Sequence, residues 1–468
     1  MRQTKIICTI GPSCSERNMI AELIENGMDI ARLNRSHGTV DSCKEIIGAI
    51  RSINGKNKSS AILMDTRGAE IRTGVTAHPA AIIKGEEIVF SSKFPLEGES
   101  RKVIEVNYDR FYSDVTETDR IIIDNGSLIF DIVEIRIDGS VIARAQSGGS
   151  IGSRRHITLP GADIDLPSIT ENDWKDIEFA MSENIDFAAL SFIRSPEEVE
   201  SVRKFVDGKK SSLNIISKIE TRQAVDSISE IIDASDGIMV ARGDLGTDLP
   251  FEELPAIQNE IVSLCLDRGK PVIIATHMLE SMIEHPMPTR AEVTDVANAV
   301  MTGADATMLS GETAAGKFPI EALKAMDRII TKTETHIRKF KRTMPYPVHN
   351  EREARAEAAV TLAESANADA ILVFTRTGRT AREISKFRPS RPIIALTDSE
   401  SAKFKLKLCF GTVPLLMRFG APEDTVTAGI MEAISCGMLE KGMKAVLLSD
   451  TETKNAPVQS VQVRTITT

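Results

Sequence analysis

Eight short, apolar runs alternate with helix-length segments along most of the chain, and this alternation constrains the fold more than any other feature. The runs are rich in β-branched residues: Lys5–Thr9, Asp29–Leu33, Ala61–Met64, Asp186–Leu190, Asn214–Ser217, Gly237–Val240, Val272–Ala275 and Ala306–Leu309. Near-continuous apolar strands are typical of a parallel sheet covered by helices on its faces. Eight of them, joined by helices, predict a (β/α)8 barrel in an α/β protein.

The alternation stops between about residues 70 and 168, where short strands and turns replace it. An Asp138-Gly139 pair flanked by alternating residues predicts a β-hairpin there. We therefore expect an inserted all-β domain (70–168) that acts as a lid on a catalytic barrel of residues 1–69 and 169–342. Strands and helices alternate again after a proline-containing linker, which predicts a doubly wound α/β regulatory domain over 348–468.

Composition and charge exclude several classes of protein. The chain has 468 residues, and its formal net charge of −10 disfavours binding to nucleic acid. No apolar run approaches the ~18 residues that span a membrane, so we expect no membrane association. The six cysteines are scattered without a paired spacing, which predicts free thiols, no structural zinc and a cytoplasmic location.

Charged residues follow several predicted strands, at the barrel end where active sites form. Glu220 and Asp244, after the fifth and sixth strands, can offer two hard oxygens to Mg²⁺. Lys218 precedes Glu220 by two residues, so both side chains project to one side of a strand. For Lys218 and Glu220 alone, a surface ion pair is the simpler interpretation. Together with Arg32 and Arg72, however, Lys218 favours a phosphoryl group or another polyanion as substrate.

Eight segments, in this order, resemble the pyruvate kinase family. They are 4–12 (TKIICTIGP), 32–38 (RLNRSHG), 65–74 (DTRGAEIRTG), 217–220 (SKIE), 239–246 (MVARGDLG), 275–282 (ATHMLESM), 288–292 (PTRAE) and 308–314 (MLSGETA). The family's arrangement of barrel, inserted β lid and C-terminal α/β domain is similar to the predicted order. The resemblance implies transfer of the phosphoryl group of phosphoenolpyruvate to ADP, which gives pyruvate and ATP in glycolysis.

The resemblance also implies roles for residues around the substrate. The groups implied to be catalytic are Arg32, Arg72, Lys218 and Thr276. Of these, Lys218 stabilises the transferring phosphoryl group, and Thr276 lies on the face where the enolate is protonated. The implied substrate contacts are Arg32, Lys218, Ala241, Arg242, Gly243, Asp244 and Thr276.

Metal ions and a nucleotide are implied by the same motifs. The divalent ion, Mg²⁺ or Mn²⁺, is expected at Glu220 and Asp244. The residues implied for a K⁺ site are Asn34, Ser36, Asp65 and Thr66, and Glu70 matches the K⁺-dependent form. The implied nucleotide contacts are Asn34, His37 and Arg72. Glu178 departs from the family pattern, because a nucleotide-contacting lysine is common there.

A segment of the C-terminal domain resembles the family's effector-phosphate loop, and implies a phosphorylated allosteric effector. It consists of Thr375, Arg376, Thr377, Gly378, Arg379 and Thr380. An ordinary strand-to-helix turn is the alternative interpretation. The glycine-rich loop expected before the last strand is missing at 450–457, which argues against activation by fructose 1,6-bisphosphate. A homotetramer is implied by the resemblance alone.

Two other functions fit parts of the pattern. An aldolase or lyase acting on pyruvate would share the metal-binding carboxylates, but the lid insertion and Lys218 argue against it. An effector-binding scaffold that has lost catalysis would carry damage in its metal or cation residues, and the sequence shows no such damage.

Overall fold

The first part of the chain builds three adjacent parallel strands. The computed structural model describes residues 1–36, 38–55, 59–116, 119–124, 126–162, 164–339, 346–452 and 457–467. The first elements are β1 (Lys5–Ile10), α1 (Arg17–Glu25), β2 (Ile30–Asn34), α2 (Val40–Ile53) and β3 (Ala61–Asp65). Thr39 caps α2, because its side chain accepts a hydrogen bond from the Ser42 N–H. Every residue of β1 and β3 is buried, as expected for strands covered on both faces.

The chain then leaves the barrel and forms a β domain with its own apolar core. Its strands are β4 (Ile71–Arg72), β5 (Ala80–Ile82), β6 (Glu87–Ser91), β7 (Val103–Glu105), β8 (Arg120–Ile123), β9 (Leu128–Ile135), β10 (Ser140–Ala145), β11 (Gly149–Ile151) and β12 (His156–Thr158). Seven strands form one sheet in the order β4-β12-β8-β9-β10-β6-β7, and β5 pairs with β11. The hairpin of β9 and β10 is confirmed, and its turn needs Gly139 because φ there is +90°.

The chain returns and completes the barrel. The elements are α3 (Glu171–Ser182), β13 (Phe187–Leu190), α4 (Pro196–Gly208), β14 (Asn214–Ile219), α5 (Arg222–Asp226), α6 (Ile228–Ala234), β15 (Gly237–Ala241), α7 (Arg242–Asp248), α8 (Leu254–Asp267), β16 (Val272–Ala275), α9 (Arg290–Thr302), β17 (Ala306–Leu309), α10 (Gly311–Ala314) and α11 (Pro319–Lys339). The strands close in the order β1-β17-β16-β15-β14-β13-β3-β2, which confirms the eight-stranded parallel barrel. β14 continues to Ile219, past its predicted end at Ser217.

The last part of the chain forms a sheet with helices on both faces. Its elements are α12 (Glu351–Ser365), β18 (Ala370–Phe374), α13 (Arg379–Lys386), β19 (Ile393–Thr397), α14 (Glu400–Lys405), β20 (Thr412–Leu416), α15 (Pro422–Ser435), β21 (Lys444–Glu452) and β22 (Pro457–Thr465). The strand order is β20-β19-β18-β21-β22, and separate apolar clusters cover the two faces. The doubly wound arrangement is confirmed, with β22 antiparallel to β21.

The C-terminal domain packs against the barrel end at which the strands begin. Lys5 Nζ, at the start of β1, donates to the Thr412 carbonyl at 2.7 Å. Arg388 forms an ion pair of 2.6 Å with Asp305, which immediately precedes β17. The β domain lies at the opposite barrel end, where the strands finish. Over the residues that the structure covers, none of the helices has the length and apolarity to cross a membrane.

Candidate active site

Lys218 is the centre of a buried ion-pair network where the barrel strands end. Its Nζ lies 2.9 Å from Glu220 Oε1 and 3.1 Å from Asp65 Oδ1, and donates to Ser191 Oγ at 2.8 Å. Burial opposes the charge, but Asp65 and Glu220 raise the pKa of Lys218 above its ordinary value. The ammonium is therefore charged and held in one place by groups from three strands.

Arg32 occupies the other side of the Asp65 carboxylate. Its Nε lies 2.7 Å from Asp65 Oδ2, and its Nη1 donates to Thr9 Oγ1 at 3.0 Å. Each oxygen of Asp65 thus faces one cation. Although burial acts in the opposite sense, Arg32 and Lys218 lower the pKa of Asp65 below its ordinary value. Asp65 is 1% exposed, so it fixes the two cations from within the barrel.

Glu220 and Asp244 are neighbouring carboxylates beside Lys218. Glu220 Oε2 accepts the backbone N–H of Phe192 at 2.7 Å. Burial raises the pKa of Glu220 to about 7, Lys218 opposes this rise and Asp244 adds to it. Burial also raises the pKa of Asp244, in the first turn of α7. A cation bound between the two carboxylates would lower their pKa values and keep both ionised.

The oxygen donors of Glu220 and Asp244 suit a small divalent cation whose other coordination positions stay open to water and substrate. Glu220 Oε1 is buried without a hydrogen-bond partner, and Lys218 Nζ is its only close charge of opposite sign among the ion pairs of the described chain. No cluster of three or more His, Cys, Asp or Glu side chains forms a complete metal site among the residues that the structure covers. Mg²⁺ and Mn²⁺ fit this arrangement, since Mg²⁺ is usually held by one or two carboxylates and completed by water and phosphate oxygens.

Arg242 and Gly243 follow β15, and other residues of the same chain hold both of them in place. Arg242 Nη1 lies 2.7 Å from Asp295, and its Nη2 donates to the Thr276 carbonyl at 2.6 Å. Gly243 N–H donates to Thr276 Oγ1 at 2.7 Å, and Thr276 Oγ1 donates to the Ala275 carbonyl at 2.7 Å. Ala241 ends β15, so Arg242 and Gly243 open α7 beside Thr276.

Two consecutive residues after β16, Thr276 and His277, have a strained backbone. Both residues have positive φ values, +65° and +53°, which are rare for residues with a β-carbon. The hydrogen bond from Arg242 to the Thr276 carbonyl helps to hold this conformation. His277 itself is half-exposed and faces Glu280 at 3.7 Å. The strain therefore places the Thr276 hydroxyl next to the N-terminus of α7.

Arg72 belongs to the β domain, and its hydrogen-bond partners lie there or just before it. It lies in β4, where its Nε donates to Glu70 Oε2 at 2.5 Å and its Nη1 donates to the Arg154 carbonyl at 2.7 Å. The predicted catalytic set therefore comprises three residues of the barrel, Arg32, Lys218 and Thr276, and one residue of the β domain, Arg72.

The residues predicted for K⁺ lie at the ends of β2 and β3, with one exception. Asn34 and Asp65 are directly opposite each other in the strand pairing. Thr66 follows Asp65, and its Oγ1 and carbonyl oxygen both accept hydrogen bonds from Ser191. Ser36 is exposed, and its N–H donates to Asn34 Oδ1 at 3.0 Å. His37, predicted to contact the nucleotide, lies outside the described residues.

His156 is a site residue that the sequence analysis did not identify. It lies in β12, its Nδ1 is 3.9 Å from Asp244 Oδ1, and its ring centroid is 6.0 Å from that of Phe192. Burial lowers the pKa of His156. No motif marks this residue; the only signal is a polar side chain in a short strand that alternates with buried Ile157 and Leu159.

A cavity of about 280 Å³ lies between the β domain and the barrel. His156 and Phe192 line it together with the carboxylates of Glu220 and Asp244. The metal-binding candidates therefore border a space that a small substrate can enter, under the domain predicted to be a lid.

The segment predicted to bind an effector forms a tight turn into α13. Gly378 has φ +82°, and its N–H donates to Thr375 Oγ1 at 3.0 Å. Arg376 lies 3.0 Å from Asp398 and its guanidinium is stacked 5.5 Å from the Phe419 ring. Arg379 pairs with Glu383 on the next turn. Thr377 is exposed, and Thr380 lies in the first turn of α13.

Comparison with known proteins identifies the family. The pyruvate kinase barrel-domain model matches residues 1–323, and the pyruvate kinase alpha/beta-domain model matches residues 353–459. The chain belongs to the pyruvate kinase family. It is 39% identical over 473 residues to plastidial pyruvate kinase 2 of Arabidopsis thaliana, covering 99% of this chain and 81% of that protein. Pyruvate kinase of Thermotoga maritima is 38% identical over 466 residues, with 99% of each chain covered.

A solved structure of a pyruvate kinase from Cryptosporidium parvum supports the same assignment. It is 36% identical, covers 98% of this chain and 96% of its own, and superposes with a TM-score of 0.90. As a member of the pyruvate kinase family, the chain is an enzyme that transfers phosphoryl groups. Its fold agrees with the family's barrel and C-terminal α/β domain.

Proposed function

We propose that this chain transfers the phosphoryl group of phosphoenolpyruvate to ADP and yields pyruvate and ATP. The observation that carries the proposal is the convergence of Lys218 with Glu220 and Asp244 at the barrel end where the strands finish. Phosphoryl transfer demands little covalent chemistry from a protein, so positioning and charge neutralisation supply most of the rate. The buried network provides both.

Glu220 and Asp244 would hold the divalent ion. When bound, such an ion supplies charge stabilisation to phosphoryl and enolate oxygens. The N–H of Phe192 fixes one oxygen of Glu220, and leaves Oε1 toward Lys218. Because Lys218 is itself fixed by Asp65 and Ser191, its charge is preorganised for the transferring phosphoryl group. Arg32, held by Asp65 and Thr9, adds a second fixed cation for the phosphate.

Thr276 would position the proton donor of the enolate. A hydroxyl has one donor site and two acceptor sites. In Thr276 the donor goes to the Ala275 carbonyl, and one acceptor site receives the Gly243 N–H. One acceptor site is left, and we assign to it a water that passes a proton to the enolate carbon and takes one from bulk solvent in return. The substrate carboxylate is assigned to the backbone of Ala241–Gly243.

The remaining ligands are assigned from their positions and from the family. Asn34, Ser36, Asp65 and Thr66 are proposed for K⁺, which is supported by the pairing of Asn34 with Asp65. Arg72, Asn34 and His37 are proposed to contact the nucleotide. Residues 375–380 are proposed to hold an effector phosphate, and homotetramer assembly and a cytoplasmic location are proposed from the family and from the six free cysteines.

A coupled assay for pyruvate tests the function directly. The wild-type chain is supplied with phosphoenolpyruvate, ADP, Mg²⁺ and K⁺, and reactions lacking either substrate serve as controls. We expect pyruvate only when both substrates are present. Failure to form pyruvate under these conditions would overturn the proposed reaction.

The K⁺ assignment has its own test. We expect turnover to fall strongly when K⁺ is replaced by a larger organic cation at equal ionic strength, because Asn34 and Asp65 then lack the ion that they are proposed to bind. Initial rates in the two salts give the result. Equal wild-type rates in both salts would refute the assignment.

A further inference from the structure

The turn that follows β13 holds both members of the Lys218–Glu220 ion pair. Ser191 Oγ accepts a hydrogen bond from Lys218 Nζ at 2.8 Å, and the next residue, Phe192, donates its N–H to Glu220 Oε2 at 2.7 Å. Ser191 is itself tied to Thr66, because its hydroxyl donates to the Thr66 carbonyl at 2.8 Å and its N–H donates to Thr66 Oγ1 at 3.1 Å. Two consecutive residues therefore set the positions of the cation and of the carboxylate.

The chain that enters the β domain packs on this turn. Gly68, three residues before β4, has φ +73°, and a β-carbon on it would lie 2.7 Å from Ser191 Cβ and 2.7 Å from Phe192 Cδ2. Contacts this close leave no room for a side chain, so the backbone at Gly68 rests directly on the turn. The Phe192 ring also lies 6.0 Å from the ring of His156 in β12, measured between centroids.

The chain that leaves the β domain is bound by Arg194, which lies between the same turn and α4. Arg194 Nη1 donates to the Ile164 carbonyl at 2.5 Å, and its Nη2 donates to the Leu166 carbonyl. Its Nε donates to Ser168 Oγ at 3.0 Å. One guanidinium thus spans the connection that returns from the β domain to the barrel.

Arg194 is directed at the backbone of this connection more than at an acidic partner. Its side chain is 17% exposed, and its ion pair with Glu198 on α4 is 3.7 Å long. The planar guanidinium carries its N–H donors in a fixed geometry, so bonds to two carbonyls and a hydroxyl fix its orientation relative to the connection. Because Arg194 follows Ser191 by three residues, the position of the connection helps to determine where the Ser191 hydroxyl and the Phe192 N–H lie.

We propose that Arg194 is a positioning residue through which the β domain sets the geometry of Lys218 and Glu220. Both connections of the β domain contact residues 191–194, and the same residues bond to the two active-site groups. A displacement of the β domain moves Arg194 and the turn before it, so the Lys218–Glu220 pair keeps its arrangement only while the β domain is in place. The inference rests on the proposed function, which assigns this pair to the divalent ion and the phosphoryl group.

Binding of Mn²⁺ tests the proposal without substrate or turnover. Free Mn²⁺ is titrated by electron paramagnetic resonance in the full-length chain. We expect Arg194→Gln to weaken Mn²⁺ binding about tenfold, because the Phe192 N–H no longer holds the Glu220 carboxylate in one orientation. Arg194→Lys keeps the positive charge without the planar fork, so an intermediate loss of about threefold is expected.

Arg51→Gln is the matched control. Arg51 also donates to two backbone carbonyls, those of Glu183 and Asn184, which lie ahead of β13 and not at the β domain. Its replacement should leave Mn²⁺ affinity unchanged. Wild-type Mn²⁺ affinity in Arg194→Gln, or an equal loss in Arg51→Gln, would overturn the proposal.

A double-mutant cycle shows whether Arg194 acts through Ser191. Ser191→Ala and Arg194→Gln should each lower kcat about tenfold and change the KM for phosphoenolpyruvate less than about twofold, since both misorient Lys218 without removing a substrate contact. Together they should lower kcat about 20-fold, against about 100-fold for residues that act independently. A loss of about 100-fold in the double variant would contradict the proposed coupling.

The two measurements separate this inference from the proposed function. If the wild-type chain forms no pyruvate, the proposed reaction is wrong, and Mn²⁺ binding alone decides the role of Arg194. If the wild-type chain is active, unchanged Mn²⁺ affinity together with unchanged kcat in Arg194→Gln overturns the inference and leaves the proposed function standing.

Discussion

At the scale of single residues, the site depends on charges that are buried in compensating pairs. Asp65 balances Arg32 and Lys218, and removing one member leaves the other charges without compensation in a place that water does not reach. The spacing of Lys218 and Glu220 was enough to predict that their side chains meet. Ser191 was not predictable, because it reaches Lys218 from a different strand and no local pattern marks it.

Lys218→Met should reduce turnover about 100- to 1000-fold, because one preorganised charge at the transferring group is lost. The same change should lower the free energy of unfolding by about 3–5 kcal/mol, since Asp65 and Glu220 lose their buried partner. Pyruvate formation and urea denaturation measure the two effects. Lys204→Met, at an exposed position on α4, is the control and should change neither.

The metal-free protein should lose stability as pH rises through the range set by Glu220. Its folded pKa is about 7 against an ordinary value of 4.5, so the native state binds more protons than the unfolded state between these values. The free energy of unfolding should therefore fall by up to about 3 kcal/mol from pH 4.5 to 7. Urea denaturation of wild type and Glu220→Gln in a chelator measures it.

Glu220→Gln should flatten this pH dependence, because the amide does not titrate. Saturating Mg²⁺ should do the same in wild type by favouring the ionised carboxylate. A wild-type pH profile that Glu220→Gln leaves unchanged would contradict the assignment of the titration to this residue.

At the scale of elements, strands were predictable and the helix that carries Asp244 was not. The apolar runs identify the barrel strands because burial on both faces leaves an uninterrupted signal. α7 has two glycines in seven residues, and glycine has low helix propensity. It is helical because tertiary contacts hold it, such as that between Thr247 and Thr158 of the β domain. A loop was therefore the reasonable expectation from sequence.

The strand β12 of the β domain should influence metal binding through His156. Its Nδ1 lies 3.9 Å from Asp244 Oδ1, and its ring lies 6.0 Å from that of Phe192, whose N–H donates to Glu220. We expect His156→Ala to weaken Mn²⁺ binding about tenfold, since residues that orient metal ligands typically contribute that much. Electron paramagnetic resonance titration of free Mn²⁺ measures the affinity without substrate.

His156→Phe separates the two contacts of the ring. It keeps an aromatic ring beside Phe192 but lacks the nitrogen near Asp244, so intermediate Mn²⁺ affinity is expected. His78→Ala, exposed in the same domain, is the control. Wild-type Mn²⁺ affinity in His156→Ala would show that β12 has no part in the metal site.

At the scale of the whole molecule, the C-terminal domain is fixed to the barrel by a buried ion pair. Arg388 contacts Asp305 through both terminal nitrogens and also donates to the Gly303 carbonyl. Asp305 is 3% exposed and accepts two backbone N–H groups, one from each domain, at Val272 and Phe410. The domain order was predictable from sequence; this junction was not, because its members are far apart along the chain.

Arg388→Met should loosen the junction, because Asp305 would keep a buried charge without its cation. We expect a loss of about 3–5 kcal/mol in the free energy of unfolding, measured by urea denaturation, with earlier exposure of the C-terminal domain in limited proteolysis. Arg376→Met, which breaks the exposed pair with Asp398, should cost less than about 1 kcal/mol. Equal losses in the two variants would argue against a special role for the junction.

The strand β14 joins the two ends of the barrel in one unbroken segment. It starts at Asn214, in the wall of a cavity shared with the C-terminal domain, and carries Lys218 four residues later. Extended chain advances about 3.3 Å per residue, so about 13 Å of backbone separates the two positions. Because no turn interrupts this segment, the position of the ammonium depends on how β14 is seated along its whole length.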